Sequence, residues 1–61
     1  MVTLWFNPGP AKLQVVKAIK ETLHIGLKDA RDAVELGRIE CVPSYRERLV
    51  EAIEDAGGKL T

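Results

Sequence analysis

The apolar residues of this chain are spaced in two ways, and the change from one to the other marks its elements. From Val2 to Phe6 the run VTLWF is dense and rich in β-formers, and Asn7-Pro8-Gly9-Pro10 ends it, which predicts a strand followed by a turn. Trp5 and Phe6 are adjacent, so a regular strand turns them to opposite faces. From Ala11 the period lengthens. On a wheel of about 100° per residue, Val15, Val16, Ile19 and Leu23 gather on one arc, Ala11 and Ala18 flank it, and Gln14, Lys17, Lys20 and Glu21 lie opposite. Pro10 fits the first helical position, where its missing N–H costs nothing. The turn His24-Ile25-Gly26 breaks the helix, with Gly26 free to take the positive φ that a chain leaving a helix often needs. A second helix runs from Leu27 to about Leu36. Leu27, Ala30, Ala33 and Val34 form its apolar stripe, and Lys28, Arg31, Asp32 and Glu35 form its polar face.

Gly37 stops the second helix. Arg38 to Val42 alternates as a short strand, with Ile39 and Cys41 on one face, and Pro43 ends it. Ser44 followed three residues later by Glu47 is a capping-box pattern. It predicts a third helix from about Tyr45 to Ala56, apolar at Tyr45, Leu49, Ala52, Ile53 and Ala56. Gly57-Gly58 closes that helix, and Lys59-Leu60-Thr61 is a last short strand. The order β-α-α-β-α-β in a single domain, residues 1–61, predicts an α+β fold: a three-stranded antiparallel sheet with three helices on one face. The first strand, the longest and most apolar, belongs in the middle. The core expected from these patterns is Val16, Ile19, Leu23, Leu27, Ala30, Val34, Leu49 and Ile53.

One residue breaks the pattern. Leu13 lies off the apolar arc of the first helix, close to Lys20 and one turn before Lys17. An apolar side chain among lysines on a solvated face is a candidate contact point, although a single exposed leucine is also ordinary. The second helix starts beside this basic face.

Composition narrows the possibilities. A chain of 61 residues buries only about 60% of its unfolded surface and has little stability to spare. The formal net charge is zero, unlike that of a dedicated nucleic-acid binder. The charge is segregated, however. Residues 1–31 hold five basic and two acidic residues, a net +3, and residues 32–61 hold four basic and seven acidic, a net −3. One basic and one acidic region suit an acidic protein partner at least as well as a phosphate backbone. With one cysteine there is no internal disulfide. No secretory signal and no run of about 20 apolar residues is present, so a cytoplasmic location without membrane contact is expected.

Chemistry is sparse. His24 and Cys41 are single, with no metal-like spacing to other ligands. His24 reads as a surface residue of the turn, and Cys41 as a small buried apolar residue. Asp29 and Asp32, and Glu51, Glu54 and Asp55, are carboxylates on solvated helix faces. No phosphate loop, paired-glycine RNA-binding loop or aromatic platform for bases is present. No enzyme activity, metal, cofactor or small-molecule substrate is expected.

The run Lys12-Leu13-Gln14-Val15-Val16-Lys17-Ala18-Ile19-Lys20, followed by Gly26-Leu27-Lys28-Asp29-Ala30-Arg31-Asp32-Ala33-Val34-Glu35, resembles the C-terminal domain of the bacterial ribosomal stalk protein L-seven/L-twelve. That family carries a lysine-led V-I-K-x-V-R helix and then G-L-G-L-K-E-A-K-D-L-V-E at the same spacing. Ala56-Gly57-Gly58 after an acidic helix also fits. The resemblance implies a protein-binding module for translational GTPases: elongation factors Tu and G, and initiation factor two. Carried over residue by residue, the implied contact surface is Lys12, Leu13, Val15, Lys17 and Lys20 with Gly26, Leu27, Lys28 and Arg31. The wheel independently selects Leu13, Lys17, Lys20 and Lys28, and it puts Val15 at the edge of the core. The departures are His24 where the family has glycine, Arg31 for a lysine, and a shorter last strand. The family's N-terminal dimerisation helices and hinge have no counterpart in residues 1–61. The expectation is therefore an excised domain or a free-standing relative, which could compete for the same factors. The alternatives are an RNA- or DNA-binding module using the same basic helices and, ranked last, a protease-adaptor-like module of the same fold.

Overall fold

The computed structural model describes residues 1–61. Its elements are β1 (Val2–Asn7), α1 (Lys12–Leu23), α2 (Leu27–Leu36), β2 (Arg38–Cys41), a 3-10 turn at Pro43–Tyr45, α3 (Arg46–Asp55) and β3 (Lys59–Leu60). The fold is the expected α+β arrangement. The sheet order is β2-β1-β3, antiparallel on both sides of β1, with Leu4 opposite Ile39, Val2 opposite Cys41 and Phe6 opposite Leu60.

Strand alternation divides the sheet into two faces. Leu4, Phe6 and Cys41 are buried against the helices, with Val2, Ile39 and Leu60 partly covered beside them. Thr3, Trp5, Asn7, Arg38 and Glu40 are exposed on the other face. Trp5 is 53% exposed, and the Arg38 guanidinium carbon lies 5.7 Å from its ring centroid, in cation–π range. From the helices, Val15, Val16 and Ile19 of α1, Ala30 and Val34 of α2, and Leu49 and Ile53 of α3 complete a single cluster. No polar or charged side chain is buried.

The expected core holds at Val16, Ile19, Ala30, Val34, Leu49 and Ile53, and Leu23 is partly covered. Leu27 is a correction. It is 55% exposed, because it is the first residue of α2 and precedes Ala30, where the buried stripe of this helix begins.

The element boundaries bring three further corrections. Helix α1 starts at Lys12 with Ala11 as its cap, and the Ala11 carbonyl accepts the N–H groups of Gln14 and Val15 at 3.1 and 3.2 Å. Pro10 therefore precedes the cap and is not the first helical residue. Before it, the Gly9 N–H donates to Asn7 Oδ1 at 2.9 Å, closing the turn with a side chain.

The turn between the helices also reverses the expected roles. His24 takes the left-handed conformation, φ 54°, and the N–H groups of His24 and Ile25 both return to the Lys20 carbonyl. Gly26 is extended, φ −70° and ψ 159°, and caps the start of α2. The left-handed residue falls directly after the last helical turn, and α1 ends at Leu23, two residues too early for Gly26 to serve. The two-residue step lets Ile25 fold back onto the core.

Ser44 does not cap α3. Pro43 opens a 3-10 turn that takes in Ser44, the Tyr45 N–H donates to the Val42 carbonyl at 3.0 Å, and neither the turn nor α3 has a side-chain cap. Helix α3 accordingly begins at Arg46, one residue later than expected.

Gly37 does end α2 as expected. At φ 73° its N–H reaches the carbonyls of Ala33 and Val34, and its own carbonyl accepts the Phe6 N–H at 2.9 Å. One residue thus closes a helix and joins it to the sheet. A Cβ there would sit 3.2 Å from the Phe6 carbonyl oxygen. Gly58 meets a different limit: its N–H closes α3 on the Ile53 carbonyl at 2.9 Å, and a Cβ would come within 2.7 Å of the Ile53 side chain.

Two substitutions test this account. Ile19→Ala removes a fully enclosed side chain from the centre of the cluster and should cost about 2–5 kcal/mol in denaturant unfolding. A loss under about 1 kcal/mol would contradict the packing. His24→Gly should instead raise the thermal midpoint. Relief of the left-handed strain, about 1–2 kcal/mol, outweighs the added chain entropy of about 0.4–1 kcal/mol.

Candidate functional site

Helix α1 has two working stripes. The buried one, Val15, Val16 and Ile19, joins the core cluster, and α1 packs between α2 and α3. On one flank Ala18 and Thr22, with Gln14 and Glu21, line a groove whose other wall is Ala52 and Asp55 of α3 and Ala56 just after it. The wheel puts Leu13 and Lys20 on the opposite flank, away from α3 and on the side where α1 packs against α2. Leu13 is 81% exposed, and Lys12, Lys17 and Lys20 are exposed around it.

The start of α2 adds a second group. Leu27, Lys28 and Arg31 line one shallow depression together with Asp32 and Glu35. Asp32 and Glu35 were outside the expected set, and they temper its positive charge. Gly26 is exposed ahead of this group, and a Cβ placed on it would meet no heavy atom within 4 Å. Its extended φ asks for no glycine either. The missing side chain thus serves no contact inside the domain and leaves the entrance to α2 flat.

The residues expected in the contact surface are not brought into one concavity. Lys12 and Leu13 border a hollow with Gly9, Pro10 and Ala11, Leu27, Lys28 and Arg31 border another, and Lys17 leans over the groove toward α3. The surface is a convex pair of helices with two apolar points, Leu13 and Leu27, set among five exposed cations, Lys12, Lys17, Lys20, Lys28 and Arg31.

Val15 is a correction. It has no exposed surface, lying in the core cluster with Leu4 and Phe6, so it offers a partner no atoms. The wheel placed it better than the residue-by-residue carry-over did.

His24 is exposed and Cys41 is buried, as expected. No group of three or more His, Cys, Asp or Glu residues is placed to hold a metal ion, and no helix is long and apolar enough to cross a membrane.

Comparison with known proteins gives the family. The chain is 38% identical to the large ribosomal subunit protein bL12 of Protochlamydia amoebophila, in a match that takes in 98% of this chain and 50% of that protein. It is 54% identical to bL12 of Limosilactobacillus reuteri over 90% of the chain and 49% of the relative. For bL12 of Porphyromonas gingivalis the figures are 41%, 88% and 46%. The chain is a domain of the bL12 family. It spans about half the length of the bL12 relatives it matches. No protein-family model matches it, and no solved structure does.

Within this bL12 domain, sequence reasoning missed two exposed apolar residues and the cleft between β1 and α3. Leu36 and Val42 are exposed, and a cleft of about 420 Å³ is bordered by Thr3, Leu4 and Trp5 of β1, Arg46, Glu47, Val50 and Glu51 of α3, and Leu60 and Thr61.

The contrast between Val15 and Leu27 is testable by melting the two single alanine variants beside the parent. Val15→Ala deletes two enclosed methyl groups and should cost about 2 kcal/mol. Leu27→Ala should cost well under about 1 kcal/mol, as surface substitutions do.

Proposed function

We propose that this bL12 domain is a docking module for translational GTPases, elongation factors Tu and G and initiation factor two, and that it engages them beside the cytoplasmic ribosome through α1 and the start of α2. The observation that carries this reading is Leu13. It holds a large apolar side chain almost fully in water, on a helix whose core stripe is already complete, amid Lys12, Lys17 and Lys20. Such a side chain adds nothing to folding and is available to an apolar hollow on a partner. Membership of a ribosomal protein family supports the same reading.

The roles divide by chemistry. Leu13 and Leu27 supply apolar contact. Gly26 lets a partner's surface approach the start of α2. The cations Lys12, Lys17, Lys20, Lys28 and Arg31 attract an acidic partner over distances up to about 10 Å at moderate salt and fix the orientation of the encounter. Val15 acts from beneath by holding α1 against the sheet.

Nucleic acid is the rival partner for the same cations. The absence of net charge and the carboxylates of Asp32 and Glu35 beside Lys28 and Arg31 favour a protein.

Binding kinetics against purified elongation factor G at low and moderate salt test the proposal, with melts run alongside. Leu13→Ala should weaken binding by about 1 kcal/mol or more, mainly through faster dissociation, and leave the midpoint nearly unchanged. Lys17→Glu and Lys28→Glu should slow association, and the difference should shrink as salt rises. Glu54→Lys on α3 is the control and should bind like the parent. Parent-like binding by the Leu13 and lysine variants would reject this surface. Saturable RNA binding with a steep salt slope and no GTPase binding would favour the rival.

A further inference from the structure

We propose that the outer edge of β2 is a binding site for an extended peptide strand, which pairs with it antiparallel beneath α2 and places a lysine or arginine opposite Ile39.

The register of the sheet leaves this edge unpaired. Strand β2 is an outer strand in the order β2-β1-β3, and it pairs with β1 from Arg38 to Cys41. The Phe6 N–H donates to the Gly37 carbonyl at 2.9 Å, which sets the alternation. Ile39 and Cys41 turn their backbone groups toward β1, and Arg38 and Glu40 turn theirs away from it. The outward N–H and C=O of Arg38 form a closely spaced pair, and those of Glu40 form another. One antiparallel strand closes four hydrogen bonds on these two residues.

The fold leaves room for that strand. Helix α1 packs between α2 and α3, and the axes of packed helices lie about 8–10 Å apart. Neighbouring strands lie only about 4.8 Å apart. Three helices therefore form a wider layer than three strands, and the outer helices overhang the outer strands. On the β2 side the overhang encloses a hollow of about 290 Å³, with Asp29, Asp32, Ala33 and Leu36 of α2 along one side and Arg38, Ile39 and Glu40 of β2 along the other.

The lining of this hollow selects its occupant. In an added strand the residue opposite Ile39 shares the face of Ile39 and enters the hollow. Ala33, Leu36 and the half-buried Ile39 offer it apolar surface, and Leu36 is 65% exposed. Asp29 and Asp32 offer exposed carboxylates. An apolar stem that ends in a cation satisfies both, which is the chemistry of lysine and arginine. Arg38, the one cation of the lining, lies over the Trp5 ring on the opposite face of the sheet.

A peptide fits better than a second copy of the domain. Two-fold pairing of β2 edges would drive the overhanging α2 helices together and set Asp29 and Asp32 of both copies side by side, where like charges oppose association. Asp32 also borders the depression at the start of α2, but the β2 edge lies outside that surface, and the proposal does not rest on the GTPase reading.

The test uses the 61-residue chain, labelled with nitrogen-15 and titrated with the blocked peptide acetyl-Val-Thr-Lys-Thr-Val-amide. Its lysine falls opposite Ile39, and its two threonines fall opposite Glu40 and Arg38. Saturable shifts are expected at the amides of Asp32, Leu36, Arg38 and Glu40, with slowed hydrogen exchange at the Arg38 and Glu40 N–H groups. Methylating the first threonine nitrogen of the peptide removes the donor to the Glu40 carbonyl and should weaken binding by about tenfold. Methylating the lysine nitrogen, which points away from β2, should be tolerated. Replacing the lysine by glutamate should weaken binding to the parent, and the difference should shrink in the Asp29→Asn, Asp32→Asn variant, whose dispersed spectrum reports folding. Leu13→Ala should bind the peptide like the parent, which separates this site from the α1–α2 surface. The proposal is overturned by any of four results: no saturable shift, shifts that miss Arg38 and Glu40, equal binding of the peptide methylated at its first threonine, or sedimentation showing that the edge is closed by a second copy.

Discussion

Everything in this domain depends on one buried cluster, in which Val15, Val16 and Ile19 of α1 come together with Leu4 and Phe6 of β1. The sheet has three strands and helices on a single face, so this contact is the middle of the only core, and α2 and α3 pack on either side of it. With 12 of 61 residues buried, there is no second cluster to hold the fold if this one loosens. The same contact orients α1. Once the buried stripe faces β1, Leu13 and Lys20 must project about a quarter turn away, and the exposed face is a geometric consequence of the core.

That dependence explains what the sequence could reveal. Periodicity reports which residues share a face, and it located the six elements, the central place of β1 and most of the core. It also set Leu13 apart from the arc and put Val15 on it. It failed where neighbouring backbone decides. Ser44 has the sequence of a cap, but Pro43 begins a 3-10 turn one residue ahead of it and draws it inside. Gly26 has the freedom for a left-handed turn, but α1 ends two residues earlier and His24 must take that conformation. Leu27 has the period of a core residue, but it is the first residue of α2 and precedes Ala30, where burial begins.

The two parts of the surface were unequally legible for a related reason. The α1–α2 face is built from residues close in sequence, so a wheel and a family resemblance both reach it. The cleft between β1 and α3 is lined by residues 3–5, 46–51 and 60–61, which meet only in the folded chain. No local pattern encodes that meeting. Resemblance also has a limit that the wheel does not share: it carries over a position without its orientation, which is how Val15 entered a surface it cannot reach.

The segregated charge can now be placed on the fold. The basic half of the sequence becomes α1 and the start of α2, while the acidic half supplies α3 with Glu47, Glu51, Glu54 and Asp55, all exposed. A neutral molecule with its charges so divided has a field that turns it before it attracts it. An acidic partner is therefore met by α1 and α2 first, and a basic segment by α3. Because no charged side chain is buried, none of these charges has a desolvation cost in the fold, and either face can change sign without disturbing the contact between α1 and β1. Binding and folding are thus assigned to different stripes of the same helix. A domain with so small a core can tolerate that division, since its surface is free to specialise while the core contact stays fixed.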